Sequence, residues 1–224
     1  MPADSDSLVV LYTGETQGNL VACRCPDHPW GGLDRRVGFL RDARASHRAA
    51  ATLVLDTGGF LPTGEVPLRD HPSAARRLTA LLLRAFLRAD VDAIALDPGE
   101  SGFLAKLAPD ELQSLGRRTL DAGAAAPVLW YDWGGRSVGV LALSSGASDS
   151  LAAAISEPVR DHADVLILLA RADAVDGRRL ARLSRADLVL LSRAARPPRP
   201  LREGMSWLVG CGGQGREVGE VVLR

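Results

Sequence analysis

The first clear pattern in the chain is an aliphatic and β-branched run, Leu8 to Thr13, that stops at Gly14. It is apolar on both faces and bounded by a turn residue, so it predicts a buried strand feeding a polar loop. After Gly31-Gly32, Leu33, Val37 and Leu40 recur at helical spacing and predict a helix reaching His47. Thr52 to Asp56 reads as a second strand, ending in Thr57-Gly58-Gly59. Ser73 to Ala89 places Leu78, Leu81, Leu82, Ala85 and Phe86 on one side with arginines between them, an amphipathic helix. Val91 to Leu96 is a short apolar strand that runs into Asp97-Pro98-Gly99-Glu100. Pro109 to Arg118 predicts a further helix. Val128–Tyr131 and Val138–Leu143 form a hairpin turned at Gly134-Gly135.

The last third alternates: helix over Ser150–His162, strand over Val165–Leu169, helix over Asp176–Leu183, strand over Leu188–Leu191. Alternation of this kind predicts layered α/β packing. Arg196-Pro197-Pro198-Arg199-Pro200 is too rich in proline for a helix or a central strand and reads as a connector. Trp207–Val209 and Val218–Leu223 close the chain as strands joined through Gly212-Gly213-Gln214-Gly215. With no internal repeat and no composition break, the 224 residues predict one domain over residues 8–224 behind a flexible start at residues 1–7.

Composition narrows the function classes. Basic and acidic residues balance at 27 each, so the chain carries no general electrostatic footprint for nucleic acid or anionic lipid. Apolar runs are interrupted by Arg, Asp or Gly before the roughly 20 residues that a membrane-spanning helix needs. The first seven residues have neither a basic nor an apolar leader segment. A cytoplasmic protein is therefore expected from the chain as written, with export only if the true start lies upstream.

The loops carry a more specific signal through their serial order. Tyr12-Thr13-Gly14-Glu15-Thr16-Gln17-Gly18-Asn19-Leu20 resembles the opening T-N-D-x-H-G-N-L motif of the nucleotidase branch of calcineurin-like metallophosphoesterases, and Gly31-Gly32-Leu33-Asp34-Arg35-Arg36 resembles its G-G-x-x-R-R segment. Leu55-Asp56-Thr57-Gly58-Gly59-Phe60 resembles L-D-A-G-D-F, and the strand ending in Asp97-Pro98-Gly99-Glu100 resembles the one leading into G-N-H-E. Ala163–Arg171 and Ala186–Ala195 stand where the family has V-D-V-V-I-x-L-S-H and V-D-x-I-x-G-G-H-x-H, and Gly213–Gly219 looks like its closing Q-G-x-x-x-G turn. The resemblance implies a layered α/β/β/α sandwich of the metallophosphoesterase type. It also implies a second, substrate-binding domain in full nucleotidases, which Leu8–Leu223 does not extend to cover.

The same resemblance sets the chemistry in question. A two-metal hydrolase needs carboxylates, imidazoles and an amide converging on ions about 4 Å apart. Glu15 stands at the first Asp position, Gln17 at its companion His, and Gly59 at the bridging Asp. Pro98 and Gly99 stand at the Asn and catalytic His, and Glu100 keeps its acid. Arg171, Arg193 and Ala195 stand at the later histidines. A guanidinium has no lone pair for a metal. The expectation is therefore a phosphatase fold with its dinuclear centre lost and no catalytic or metal-ligating residues of the conventional kind, serving as a non-catalytic binding or scaffold protein. The alternatives are a divergent phosphoester hydrolase of the 5'-nucleotidase type, or a thiol or zinc-site protein.

Two expectations about side chains follow. Arg171 and Arg193 replace lost cations and pair with the rim acids Glu15, Asp56 and Glu100, or, together with Gln17, they cradle a small anionic ligand. Cys23, Cys25 and Cys211 come together in space, as a disulfide involving Cys211, as free thiols, or with His28 around a zinc ion. Trp130 and Trp207 lie in strand-like surroundings and are expected in the core; Trp30 and Trp133 are the better candidates for contacting a ligand or a protein partner.

Overall fold

The computed structural model describes residues 6–23, 30–48, 50–61, 72–98, 100–123, 128–193 and 199–224. In the first half, strands β1 (Leu8–Thr13), β2 (Ala51–Asp56), β3 (Ala93–Leu96) and β4 (Thr119–Asp121) alternate with helices α1 (Leu33–Ser46), α2 (Pro72–Arg88), α3 (Glu100–Leu107) and α4 (Pro109–Leu115). The second half contains β5 (Leu129–Trp133), β6 (Arg136–Ser144), α5 (Asp149–Arg160), β7 (Val165–Arg171), α6 (Ala174–Ser184) and β8 (Leu188–Leu191). Strands β9 (Leu201–Glu203), β10 (Ser206–Gly210) and β11 (Gly219–Leu223) close the chain.

The strands form two sheets, ordered β11-β1-β2-β3-β4 and β5-β6-β7-β8-β10-β9. Strands β1 to β4 are parallel, as are β6, β7, β8 and β10; the antiparallel members β11, β5 and β9 lie at sheet edges. Period-two alternation distributes the side chains. Val10 and Leu55 of the first sheet meet Val140, Ile167 and Leu190 of the second in an inner core. Val9, Leu11 and Val54 face outward against Leu40, Leu82 and Phe86 of α1 and α2. Leu141, Leu168 and Val189 do the same against Ala152 and Leu180 of α5 and α6. The result is the α/β/β/α sandwich, with strands buried on both faces as parallel sheets require.

Local chemistry sets several element ends. Ser148 caps α5 by accepting from Leu151 N, and Asp173 caps α6 by accepting from Val175 N and Asp176 N. The hairpin between β5 and β6 turns at Gly134-Gly135, both at positive φ, as the two-residue turn demands.

The tryptophans are distributed differently from the sequence expectation. Trp133 is buried, whereas Trp130 and Trp207 are about half exposed, at 47% and 46%. Residues 130 and 133 are an odd number apart on β5 and so lie on opposite faces, and β5 is an edge strand with one face to solvent. Trp207 instead packs its ring under the Arg202 guanidinium, 4.8 Å from the ring centre.

The loop after β2 packs against β3 with no room for a side chain at Gly58. Its φ is +82°, and a Cβ there would lie 2.1 Å from the Ala95 carbonyl oxygen. Gly58→Ala is therefore expected to destabilise the fold by at least about 2 kcal/mol, from left-handed strain plus displacement of β3. Urea denaturation checks this as a lower midpoint at unchanged slope.

Candidate functional site

Parallel strands bring their carboxyl ends to one edge of each sheet, where loops can converge. After β1 and β2 the chain is stitched loop to loop: Glu15 N donates to Gly58 O at 2.7 Å, Gln17 N to Gly59 O at 2.9 Å and Gly18 N to Phe60 O at 2.8 Å. Glu15 and Gln17 adopt left-handed backbone conformations, φ +48° and +50°, which only the surrounding bonds make tenable for residues with side chains.

This backbone turns the Glu15 side chain inward. Its Oε1 accepts from Arg171 Nη1 at 2.7 Å and its Oε2 from Gln17 Nε2 at 3.0 Å. Arg171, from the end of β7 in the opposite sheet, also donates through Nη1 to Thr57 O at 3.1 Å and grips Asp97 with Nε and Nη2, the Nε contact at 3.1 Å. The Arg171 and Glu15 side chains are almost fully buried, at 8% and 9% exposure, while Asp97 is half exposed. Burial alone would pull the Arg171 proton affinity down; the bonds and charges of Asp97 and Glu15 hold it above the ordinary value. The guanidinium thus joins the loops after β1, β2 and β3 to β7.

Asp56 is fully buried beside this cluster. It accepts from the Thr13 hydroxyl and, at 2.8 Å, from Gly58 N, but makes no ion pair among the described residues. Burial raises its proton affinity, opposed first by the charge of Arg36 and then by the Thr13 and Gly58 bonds. Glu100, at the start of α3, accepts from Asp97 N at 2.8 Å. Burial pushes its carboxyl up to about 7, against the Asp97 amide and Arg171, with the charges of Asp97 and Asp56 adding to the rise.

The cluster therefore contains Glu15, Gln17 and Arg171 in direct contact, with Asp56 and Glu100 next to them. Arg193 does not join it: its side chain is exposed, it forms no ion pair among the described residues, and only its amide is engaged, with Ala172 O at 3.1 Å. The physical reason is reach. Residue 193 lies two positions beyond β8, already outside the strand end that would direct it inward. Asp97 and Thr57 O are partners that sequence reasoning missed. Asp97 follows directly on β3 and Asp56 is the last residue of β2, and this near-parallel placement at strand ends is the signal that could have found it.

The cysteine expectation also changes. Cys23 is disulfide-bonded and Cys211 is a free, buried thiol, so these two are not joined. Burial pushes the Cys211 thiol up to about 12, with the charge of Asp56 adding to the rise, which leaves it protonated and inert. Cys25 and His28 lie outside the described residues. Among the described residues no three His, Cys, Asp or Glu side chains are grouped so as to hold a metal ion, and no helix is long and apolar enough to cross a membrane.

No protein-family model and no curated protein matches the chain. Solved structures do. The chain is similar to a 5'-nucleotidase precursor from Thermus thermophilus (19% identity, TM-score 0.68), aligning over 97% of this chain and 51% of that one. It is also similar to the Thermus thermophilus sulfate thiohydrolase SoxB (16%, TM-score 0.71, 98% and 54%) and to the Haemophilus influenzae NAD nucleotidase NadN (12%, TM-score 0.75, 96% and 47%). The chain spans about half the length of these proteins. The fold is that of the metallophosphoesterase domain that the sequence motifs resemble.

Removing the cation should be costly. Arg171→Ala leaves Glu15 buried without its partner and is expected to destabilise the protein by about 3–5 kcal/mol, whereas Arg171→Met combined with Glu15→Gln should cost clearly less. Chemical denaturation of the three proteins measures both.

Glu100 makes stability depend on pH. Its folded proton affinity, about 7, lies above the ordinary 4.5, so the folded state holds the proton more tightly. Its contribution is complete below the unfolded value and is lost as pH rises from about 4.5 through about 7. Glu100→Gln should flatten the decline over that window in a thermal-melt series.

Proposed function

We propose that the chain is a non-catalytic binding or scaffold protein that uses the metallophosphoesterase fold without a working dinuclear metal centre. One observation carries the reading: the Glu15 carboxylate fills the space a side chain at position 59 would need. A Cβ on Gly59 would lie 2.5 Å from Glu15 Oε1 and 2.9 Å from Oε2. The family resemblance puts a metal-bridging aspartate at that position, and here the carboxylate occupying its space is turned toward Arg171 and Gln17 instead. Arg171 already pairs with Glu15, the acid at the first ligand position of the resembled motif, and a guanidinium cannot itself ligate a metal. The residues present do not fit a two-metal site.

The competing reading is a divergent phosphoester hydrolase of the 5'-nucleotidase type. Its support is the fold together with Glu100, a carboxyl whose proton affinity near 7 suits a general acid at neutral pH. The two readings part in one experiment: elemental analysis of protein purified without chelator, alongside a phosphomonoester panel supplied with manganese. Substoichiometric metal and no turnover above buffer are expected. Two equivalents of bound metal with metal-dependent turnover would overturn the non-catalytic reading.

A further inference from the structure

Helix α2 belongs to the layer outside the first sheet, and its two sides have different chemistry. Ala75, Leu82, Leu83 and Phe86 are buried, packing in the cluster that joins the helix to Val9, Leu11 and Val54. The outer side carries charge of one sign. The helix contains Arg76, Arg77, Arg84 and Arg88 and no acid in its 17 residues.

Helical spacing draws most of this charge into one line. Arg77, Leu81, Arg84 and Arg88 are four, three and four residues apart, which at 3.6 residues per turn keeps them within about 60° of one another over about 16 Å of helix. All four are exposed, Leu81 at 48%. Arg84 is paired: its Nε and Nη2 stand 2.8 and 2.6 Å from Oε1 of Glu111 on α4. Arg77 and Arg88 have no side-chain partner among the described residues.

Two features of this stripe are unfavourable in the free chain. Arg84 and Arg88 are four residues apart, a spacing that stands like charges beside each other on a helix. Leu81, between Arg77 and Arg84, leaves about half of its surface in water. Neither is needed to hold α2 on the sheet, because the buried side supplies that contact. A single occupant relieves both: a segment with carboxylates on either side of an apolar side chain. The stripe also discriminates between anionic partners. It is one helix wide, in a chain whose 27 basic residues are balanced by 27 acidic ones. Attraction therefore fades within about a Debye length of the stripe, and a broad polyanion such as a bilayer or a duplex gains little over a narrow segment.

We propose that the outer face of α2 docks a partner protein through an acidic amphipathic helix, with carboxylates on Arg77 and Arg88 and an apolar side chain on Leu81. Guanidinium forks match carboxylates, and an apolar contact ringed by polar ones is the ordinary anatomy of a protein interface. This surface would give the binding or scaffold reading a partner, but it rests on α2 alone and is independent of the fate of the metal centre.

The test titrates the full chain into a fluorescently labelled, capped helical peptide of alanine and glutamine that repeats Glu and Leu along one face at three- and four-residue spacing. Fluorescence anisotropy should show saturable binding that weakens as salt is added. A scrambled peptide of the same composition should bind at least tenfold more weakly. Arg77→Glu and Leu81→Gln should each weaken binding fivefold or more, and the double variant Arg77→Glu, Arg88→Glu should instead bind a version of the peptide with Lys in place of Glu. Arg185→Glu, at the exposed end of α6 on the opposite helical layer, changes the net charge as Arg77→Glu does and should leave the affinity within twofold. All substituted positions are exposed, and circular dichroism checks that the helices are intact. Absence of saturable binding, equal affinity for the scrambled peptide, failure of the charge swap, or an equal loss from Arg185→Glu would overturn the proposal. So would tighter binding of anionic lipid vesicles or duplex DNA that the same α2 variants remove, which would assign the stripe to a broad polyanion.

Discussion

The strand-end edge of this protein depends on one guanidinium. The two sheets are held face to face by an apolar core that is strong but non-directional, and such a core does not say how the loops above it should stand. Arg171 supplies the direction. It comes from the second sheet and reaches the products of three strands of the first: Glu15 after β1, Thr57 O after β2 and Asp97 after β3. Its planar fork offers all three nitrogens at fixed angles, so the acceptors must come to it in one arrangement. Desolvating that charge would cost several kcal/mol alone, and the cost is offset because every nitrogen is matched by an oxygen, two of them on a carboxylate held bidentately.

The glycines of the same edge are the complement of this arrangement. Gly58 and Gly59 leave room where residues with side chains would collide, the first with the Ala95 carbonyl, the second with the Glu15 carboxylate. Glu15 and Gln17 take left-handed conformations to fill that room, a strain that the loop-to-loop bonds to Gly58 O and Gly59 O sustain. Space vacated at one position is thus occupied from another. A substitution at Gly59 alone could not restore a side chain there without evicting the ion pair.

Much of this was legible in the chain. The buried strands announced themselves as continuous aliphatic runs, because both faces of a sandwiched parallel sheet are covered. The layered class followed from the alternation of elements, and the order of loop motifs pointed to the same sandwich. The three-residue strands β4 and β9 were not legible, since so short a segment carries no period and is defined only by its neighbour. Helix α3 was missed because Glu100 to Leu107 follows directly on a loop motif and offers only Leu104 fully to the core. At the site, the identities of Glu15, Gln17 and Arg171 drew attention to them through the family pattern. The pairing of Arg171 with a rim acid was expected from the same pattern and is met at Glu15, whereas the exclusion of Arg193 was not, because it depends on where a strand stops relative to the edge. Asp97 went unnoticed for the opposite reason: the pattern assigned importance to Glu100, and the nearer acid made the bond.

Charge balance links the rim to Arg36 of α1. Asp56 and Glu100 have no guanidinium contact of their own, and burial raises the proton affinity of both. The charge that most opposes the rise at Asp56 belongs to Arg36, and Asp56 in turn is the strongest charge holding Arg36 protonated against its own burial. Thr16, whose hydroxyl fixes Arg36 Nη1, sits in the same loop that presents Glu15 to Arg171, so the charge that steadies Asp56 and the guanidinium that organises the rim are anchored on one piece of backbone.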